Sequence, residues 1–526
     1  MATINTLLGR RAGVLRLIFL MLSSRDMMNV VQVCRLWREV GEAPSSWTRY
    51  LIRVTRQNIS KVLESRRIDN INEISLEEKL TQHQMESILA NISGKDSYIK
   101  ILNILLAKIP FCLDREEEEE EEENKSSLLL IDQDLLLKAI NRMQVVSIPD
   151  NQLTIRQFRQ IFRDINNGIS HLHKLDISRT NLSRLDPTLL TNALRRLVEV
   201  KLDETRLTLE QIEMILTYFS GEGSKPKKLV LSNNDLSLVD PCLLARSVNS
   251  LEDININNTN LTEKQVEEIF KGTFERQSRL KKLDIAVNDL FCSRVDNTLD
   301  IGSFSRQAPD LLASSVIKLE EVNLRYNNLT AMQLNAIFFA IRNGTSSLKD
   351  IDISGNNLSL VWPYTLARGI HKLEGVNVSA TKLTFVQTKF IISAISDENS
   401  QLKTLDISEN NLSKVDPHAL SKAMNKLEVA YMENNQLTLL QVESILTQSM
   451  VLTALKMLRM TKPQGILNKD LVARARKSKI DIKLDSTDLE HSEEYPYPED
   501  FWDWIDPAGF PGLAGDKLAA VESKNV

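Results

Sequence analysis

Little in this 526-residue chain points to chemistry of its own. Cysteine is scarce: Cys34, Cys112, Cys242 and Cys292 stand at no metal or disulfide spacing, which suits a reducing compartment. The six histidines form no ligand set. His171 and His173 share one side of a strand start, but no third ligand accompanies them, so neither a metal nor another cofactor is expected. No glycine-rich phosphate loop and no nucleophile with a base in a recognisable motif is present, so no catalytic residues are assigned. The net charge of -5 is mild, which excludes strong whole-chain attraction to nucleic acid or membrane. Long apolar runs are missing too. Arg10 and Arg11 precede VLRLIFLML (Val14 to Leu22) as in a secretory signal, but Arg16 interrupts the run and no small-x-small site follows. It is also too short to cross a bilayer as a helix.

What the chain has is a repeat. In LKTLDISENNLSKVDPHALSKAMNKL (Leu402 to Leu427), Leu402, Leu405, Ile407, Asn410 and Leu412 fall on the spacing LxxLxLxxNxL, a short strand followed by an Asn. The rest is apolar at helical spacing after an Asp-Pro start. The same unit begins at Met143, Leu172, Leu197, Pro226, Leu251, Leu280, Leu319, Leu348, Leu373, Leu402 and Leu427, in steps that alternate 29 and 25 residues with one of 39. Short units read like LSRLDPTLLTNALRRL (from Leu182) and long ones like LTLEQIEMIL (from Leu207). A lone strand and helix cannot bury its apolar face, so the units must stack. The pattern resembles leucine-rich repeats of the ribonuclease-inhibitor-like class, which implies an α/β solenoid in horseshoe form.

The solenoid is expected over residues 71–484. Weaker units begin at Ile71 and Ile99, and LTQHQMESIL (from Leu80) nearly duplicates LTLLQVESIL (from Leu437). The acidic run Glu116 to Glu123 repels itself and cannot enter a core, so residues 114–126 are expected to form a disordered loop. The 39-residue step carries a 14-residue insertion, placed at 296–309. After Leu455 a helix near Asn468 to Lys479 and a strand KIDIKL are expected to cap the stack. Residues 485–526 are expected to form an acidic, aromatic and largely disordered tail. Tyr495, Tyr497, Phe501, Trp502 and Trp504 there suit either a docking peptide or a cap on the last repeat. The ends differ in charge: residues 1–67 carry 12 Arg/Lys against 4 Asp/Glu, and 485–526 carry 2 against 11.

The first 55 residues read as a small all-α domain, joined by a basic helical connection (56–70). Leu15, Ile18, Phe19 and Leu22 share one helical face; Ser23, Ser24 and Asp26 start a helix; Val30, Val33, Cys34 and Trp37 form the next face; Trp47 closes the segment. Together with Arg35 and Arg38 these residues resemble an F-box, whose pattern ends in a VCxxW core and a distant Trp. In place of the family's opening Leu-Pro and following Glu stand Arg10, Arg11 and Gly13. The resemblance implies that residues 8–50 dock on the Skp adaptor of a cullin-based ubiquitin ligase, and that the repeats hold a protein substrate. It also implies a non-catalytic adaptor, a monomer within a hetero-complex, located in the cytoplasm or nucleus. The alternative is a binding scaffold or inhibitor unconnected with ubiquitin.

In such a repeat the apolar strand positions point inward and the residues between them line the concave face. Asn151, Asn234, Asn288, Asn327, Asn356, Asn410 and Asn435, replaced elsewhere by Thr180, Thr205, Thr259 and Thr381, are expected to satisfy buried backbone groups. Asp203, Asn255, Asn257, Asn323, Arg325, Tyr326, Asp352, Asp406, Tyr431 and Glu433 are the expected substrate contacts. This face is of mixed sign and somewhat acidic. It suits a protein or peptide, and it lacks the basic stripe that nucleic acid requires.

Overall fold

In a computed structural model the chain is described over residues 51–54, 73–77, 80–94, 97, 99–105, 131–149, 153–221, 227–274, 278–288, 309–449, 454–463, 467–477 and 480–485. Leu15, Ile18, Phe19, Leu22, Asp26, Val30, Val33, Cys34, Trp37 and Trp47 lie outside the described residues. So do the connection 56–70, the acidic loop 114–126, residues 296–308 of the insertion and the tail beyond Asp485.

Alternation of apolar and polar residues sets a short strand in each unit. The first eight are β1 (Leu51–Val54), β2 (Glu73–Glu77), β3 (Ile101–Leu105), β4 (Val145–Ser147), β5 (Lys174–Asp176), β6 (Glu199–Lys201), β7 (Lys228–Val230) and β8 (Asp253–Asn255). The others are β9 (Lys282–Asp284), β10 (Glu321–Asn323), β11 (Asp350–Asp352), β12 (Gly375–Asn377), β13 (Thr404–Asp406), β14 (Val429–Met432), β15 (Met457–Thr461) and β16 (Asp481–Asp485). They form one 16-stranded sheet in strict chain order. All pairs are parallel, with a helix crossing over between most neighbours, as parallel pairing requires.

Two features could not be read from the repeat. The sheet begins before residue 71: Leu51–Val54, inside the stretch expected to be helical, pairs in parallel with Glu73–Leu76. LIRV lacks the repeat spacing, and what holds it as a strand is the open edge of β2, whose backbone groups need partners. In contrast, the 39-residue step does not interrupt the sheet. Lys282 pairs with Glu321 and Asp284 with Asn323, in the same register as every shorter step.

One continuous apolar core runs from Val54 to Leu484. Leu405, Ile407 and Leu412 are fully buried, as are Leu202, Ile256 and Leu324 at equivalent places. Each such side chain contributes roughly 1.5–3 kcal/mol.

The Asn position does what its chemistry requires. Asn410 Nδ2 donates to the carbonyls of Val378 (2.9 Å), Ile407 (3.1 Å) and Ser408 (3.1 Å), while Oδ1 accepts from Leu383 N (3.0 Å). Asn234, Asn288 and Asn356 repeat this set, and Thr205, Thr259 and Thr381 make the carbonyl bond with their hydroxyls. The residue before each described ladder position is left-handed, including Glu204, Asn233, Val287, Tyr326, Ala380 and Glu409. That conformation is unfavourable for side chains other than Gly, and it aims each backbone N–H at the next unit, as in Glu204 N to Ser232 O and Glu409 N to Glu433 O. The NLS strings serve turns: Asn181, Asn357 and Asn411 accept from the N–H and hydroxyl of Ser183, Ser359 and Ser413.

Helix starts differ between the two unit lengths. In the long units Thr and Gln three residues apart close a capping box, as at Thr208 and Gln211 or Thr384 and Gln387. The same Gln then reaches the preceding unit. Gln265 Nε2 donates to Leu236 O (2.8 Å) and Val239 O (2.7 Å), and Gln441 to Leu412 O (2.8 Å) and Val415 O (2.7 Å). In the short units Asp186, Asp240 and Asp416 cap the helix ahead of a Pro. Trp362 takes that place before Pro363 and makes no side-chain cap bond.

Candidate functional site: the outer face of the parallel sheet

From β4 to β15 each strand turns one row of side chains into the core and the next away from it. Because the strands are in register, the outward residues fall into rows across the sheet. The first row reads Lys174, Glu199, Lys228, Asp253, Lys282, Glu321, Asp350, Gly375 and Thr404. The second, from the strands' third residues, reads Asp176, Lys201, Val230, Asn255, Asp284, Asn323, Asp352, Asn377, Asp406 and Tyr431. A third row lies two residues further on, where each strand has ended.

All ten expected contact residues sit on this face. Asn255, Asn323, Asp352, Asp406 and Tyr431 are in the second row, and Asp203, Asn257, Arg325 and Glu433 in the third. Tyr326 lies in the turn beyond β10, 44% exposed and left-handed at φ 50. Its ring covers Gly355, at φ +68, so closely that a Cβ there would stand 2.2 Å from a ring carbon. The Arg325 guanidinium lies 4.8 Å from the centroid of the same ring.

These side chains hold one another in place. Asp203 accepts from Ser232 Oγ (2.6 Å) and Asn233 Nδ2 (2.8 Å). Asn257 Nδ2 reaches Asp284 (3.4 Å), and Asn377 Nδ2 reaches Asp352 (3.0 Å). Asp352, Asp406 and Asn323 each accept the backbone N–H two residues on. Ser408 Oγ donates to Glu433 (2.9 Å), and the Tyr431 hydroxyl to Met457 Sδ (3.4 Å). A partner would meet a preorganised polar surface, so little side-chain entropy is lost on binding.

Opposite charges alternate in the first row. Lys174 pairs with Glu199 at 2.7 Å, Lys228 with Asp253 at 3.4 Å and Lys282 with Glu321 at 2.7 Å. A second ladder runs along the residues just before the strands: Lys227, Glu252, Lys281, Glu320, Lys349, Glu374, Lys403, Glu428 and Lys456 alternate without a break. Its pairs include Lys227 with Glu252 (3.3 Å), Lys349 with Glu320 (3.4 Å) and Lys403 with Glu374 (2.5 Å). A pocket of about 470 Å³ lies on this ladder, lined by Glu320, Ser346, Ser347, Leu348, Lys349, Lys372, Glu374 and Gln401.

Around β9 to β11 the balance tips to acid. Burial pushes the Asp350 carboxyl up to about 7, reinforced by Glu321 and Glu374. Burial also raises Asp284 and Asp352 to about 6, against the hydrogen bonds each accepts. Asp253 and Glu321 are raised for the same reason, although Lys228 and Lys282 oppose it. Asp284 was not among the expected contacts. The signal for Asp284 was available: Asp176, Asp284, Asp352 and Asp406 all stand in the string Leu/Ile-Asp-Ile.

Two family models match parts of the chain. The F-box-like family model matches residues 13–53, and the Leucine Rich Repeat model matches residues 401–423. The leucine-rich repeat-containing protein LegL7 from Legionella pneumophila is similar in structure over 57% of this chain and 97% of its own, at 14% sequence identity and a TM-score of 0.37. No curated protein matches the sequence. No described helix is long and apolar enough to cross a membrane. The chain therefore joins an F-box-like N-terminal segment to a leucine-rich-repeat solenoid, the two modules that its motifs resembled.

Proposed function

We propose that the protein is the substrate-recognition subunit of a Skp-cullin-F-box ubiquitin ligase in the cytoplasm or nucleus. The F-box-like segment engages the Skp adaptor, and the outer face of the sheet holds a protein target. The protein itself does no chemistry. Its contribution is proximity, which raises the local concentration of the target near a ligase centre on other subunits. The observation that carries this reading is the F-box-like match at residues 13–53 followed by repeats whose outer face is a hydrogen-bonded, polar surface.

Co-expression with Skp tests it. A stable complex is expected, and it should be lost when Trp37→Ala and Leu15→Ala are combined. Absence of any complex at micromolar concentrations rejects the ligase role. Arg10, Arg11 and Gly13 in place of the family's Leu-Pro and Glu favour a second reading, a scaffold that binds its target without the adaptor. Target retention on the sheet face with no Skp binding would establish that reading.

A further inference from the structure

The outer face of β8 to β13 is short of positive charge. Its first two rows hold six carboxylates, Asp253, Asp284, Glu321, Asp350, Asp352 and Asp406, and a single cation, Lys282. Lys282 is paired with Glu321 at 2.7 Å. In the third row Arg325 lies over Tyr326, and its charge also acts on Asp352. Asp352 takes its hydrogen bonds from neutral groups, Ser354 N at 2.8 Å and Asn377 Nδ2 at 3.0 Å.

Asp350 is the focus of the deficit. It is only 2% exposed, and its Oδ1 is buried without a hydrogen-bond partner. The side chain leans over Gly375 on the next strand, where a Cβ would stand 2.1 Å from that oxygen. Any other residue at Gly375 would fill the space above the strand that Asp350 occupies. Nearby, Ser354 Oγ is also buried, beside the Asp352 carboxylate. An ionised carboxylate left unpaired at such a place is costly, and a bound cation relieves it.

We propose that the outer face of β9 to β13 binds a basic segment of the protein target, seating one of its lysine or arginine side chains against Asp350 with Asp284, Glu321 and Asp352 around it. This rests on the reading that the sheet face holds the target. A metal ion fits poorly, because among the described residues no three His, Cys, Asp or Glu converge to hold one. An ammonium or guanidinium needs fewer contacts and supplies the donor that Asp350 Oδ1 lacks. The raised carboxyl of Asp350 agrees with this placement. The charged groups that face it are Glu321 and Glu320 from β10 and its approach, Lys282 from β9, Glu374 before β12, and its own neighbour Lys349.

The test uses the full chain and a fluorescent synthetic peptide of about a dozen residues alternating Lys and Ser, read by anisotropy. Binding is expected, with none for the same peptide carrying Glu for Lys. Affinity should fall about tenfold in the Asp350→Asn, Asp352→Asn double variant and steeply with salt, and stay unchanged in Glu267→Gln on the helix side. Raising the pH from 6 to 8 should tighten binding severalfold, and Asp350→Asn should abolish most of that gain. A double variant that binds as wild type, or a Lys peptide that does not bind, overturns the proposal. Skp binding is measured on the same preparations. A peptide result that fails while the adaptor complex still retains a target through this face removes only the basic-segment assignment.

Discussion

At the scale of single residues, the fold depends on side chains that stand in for backbone. Asn410 offers one amide donor group to three carbonyls and one oxygen to Leu383 N, all in the dry interior of the turn. No apolar residue can replace those bonds. Asn410→Ala should cost about 1–3 kcal/mol of unfolding free energy, since it leaves buried groups unsatisfied. Urea denaturation measures it, and Asn411→Ala next to it, in an exposed turn, should cost much less. The left-handed residue before each ladder position is the other local device. Val287, β-branched and at φ 54, stands in that unfavourable conformation with its N–H bonded to Arg325 O.

At the scale of elements, the helix starts show how one motif serves two bonds. Gln387 is 1% exposed, closes the capping box with Thr384 and donates to the carbonyls of Leu358 and Val361 one unit back. A helix start in this solenoid is therefore also a seam between units. The short units use Asp-Pro instead, and the helix Pro363–Ile370 departs from them. Trp362 there is 64% exposed and caps nothing. Because Asp186, Asp240 and Asp416 show what the position accepts, Trp362→Asp should raise stability by about 1 kcal/mol. A shift of the thermal midpoint upward checks it, and a fall would show that the indole packs usefully.

At the scale of the whole molecule, the alternation of unit lengths becomes an alternation of charge. Lys and Glu succeed each other along the approach to the strands, so the two-unit period of the sequence appears as an ion ladder. The acidic centre gives the molecule a pH response. Asp284, Asp350 and Asp352 have folded values of about 6, 7 and 6, above an unfolded value near 3.9. Between those limits the folded state binds more protons than the unfolded chain, so these groups lower stability as the pH rises from about 4 to about 7. Asp350→Asn removes the largest of these penalties. It should raise the unfolding free energy at pH 7.5 by about 1–3 kcal/mol and leave it unchanged at pH 4, as urea titrations at the two pH values would show.

The sequence by itself determined the unit. Leucine spacing, the Asn after each strand, and the Asp-Pro and Thr-x-x-Gln starts are local, so each could be read within one repeat, and the strands and helices stand where that spacing put them. The outward position of Asp352, Asp406 and Tyr431 followed from strand alternation alone. Only the tertiary structure decided what crosses from one unit to the next: β1 on the edge of β2, Gln265 on the carbonyls of Leu236 and Val239, and Asp350 over Gly375. Those contacts join residues about a repeat apart in the chain, and the register of stacking, not any local pattern, brings them within reach.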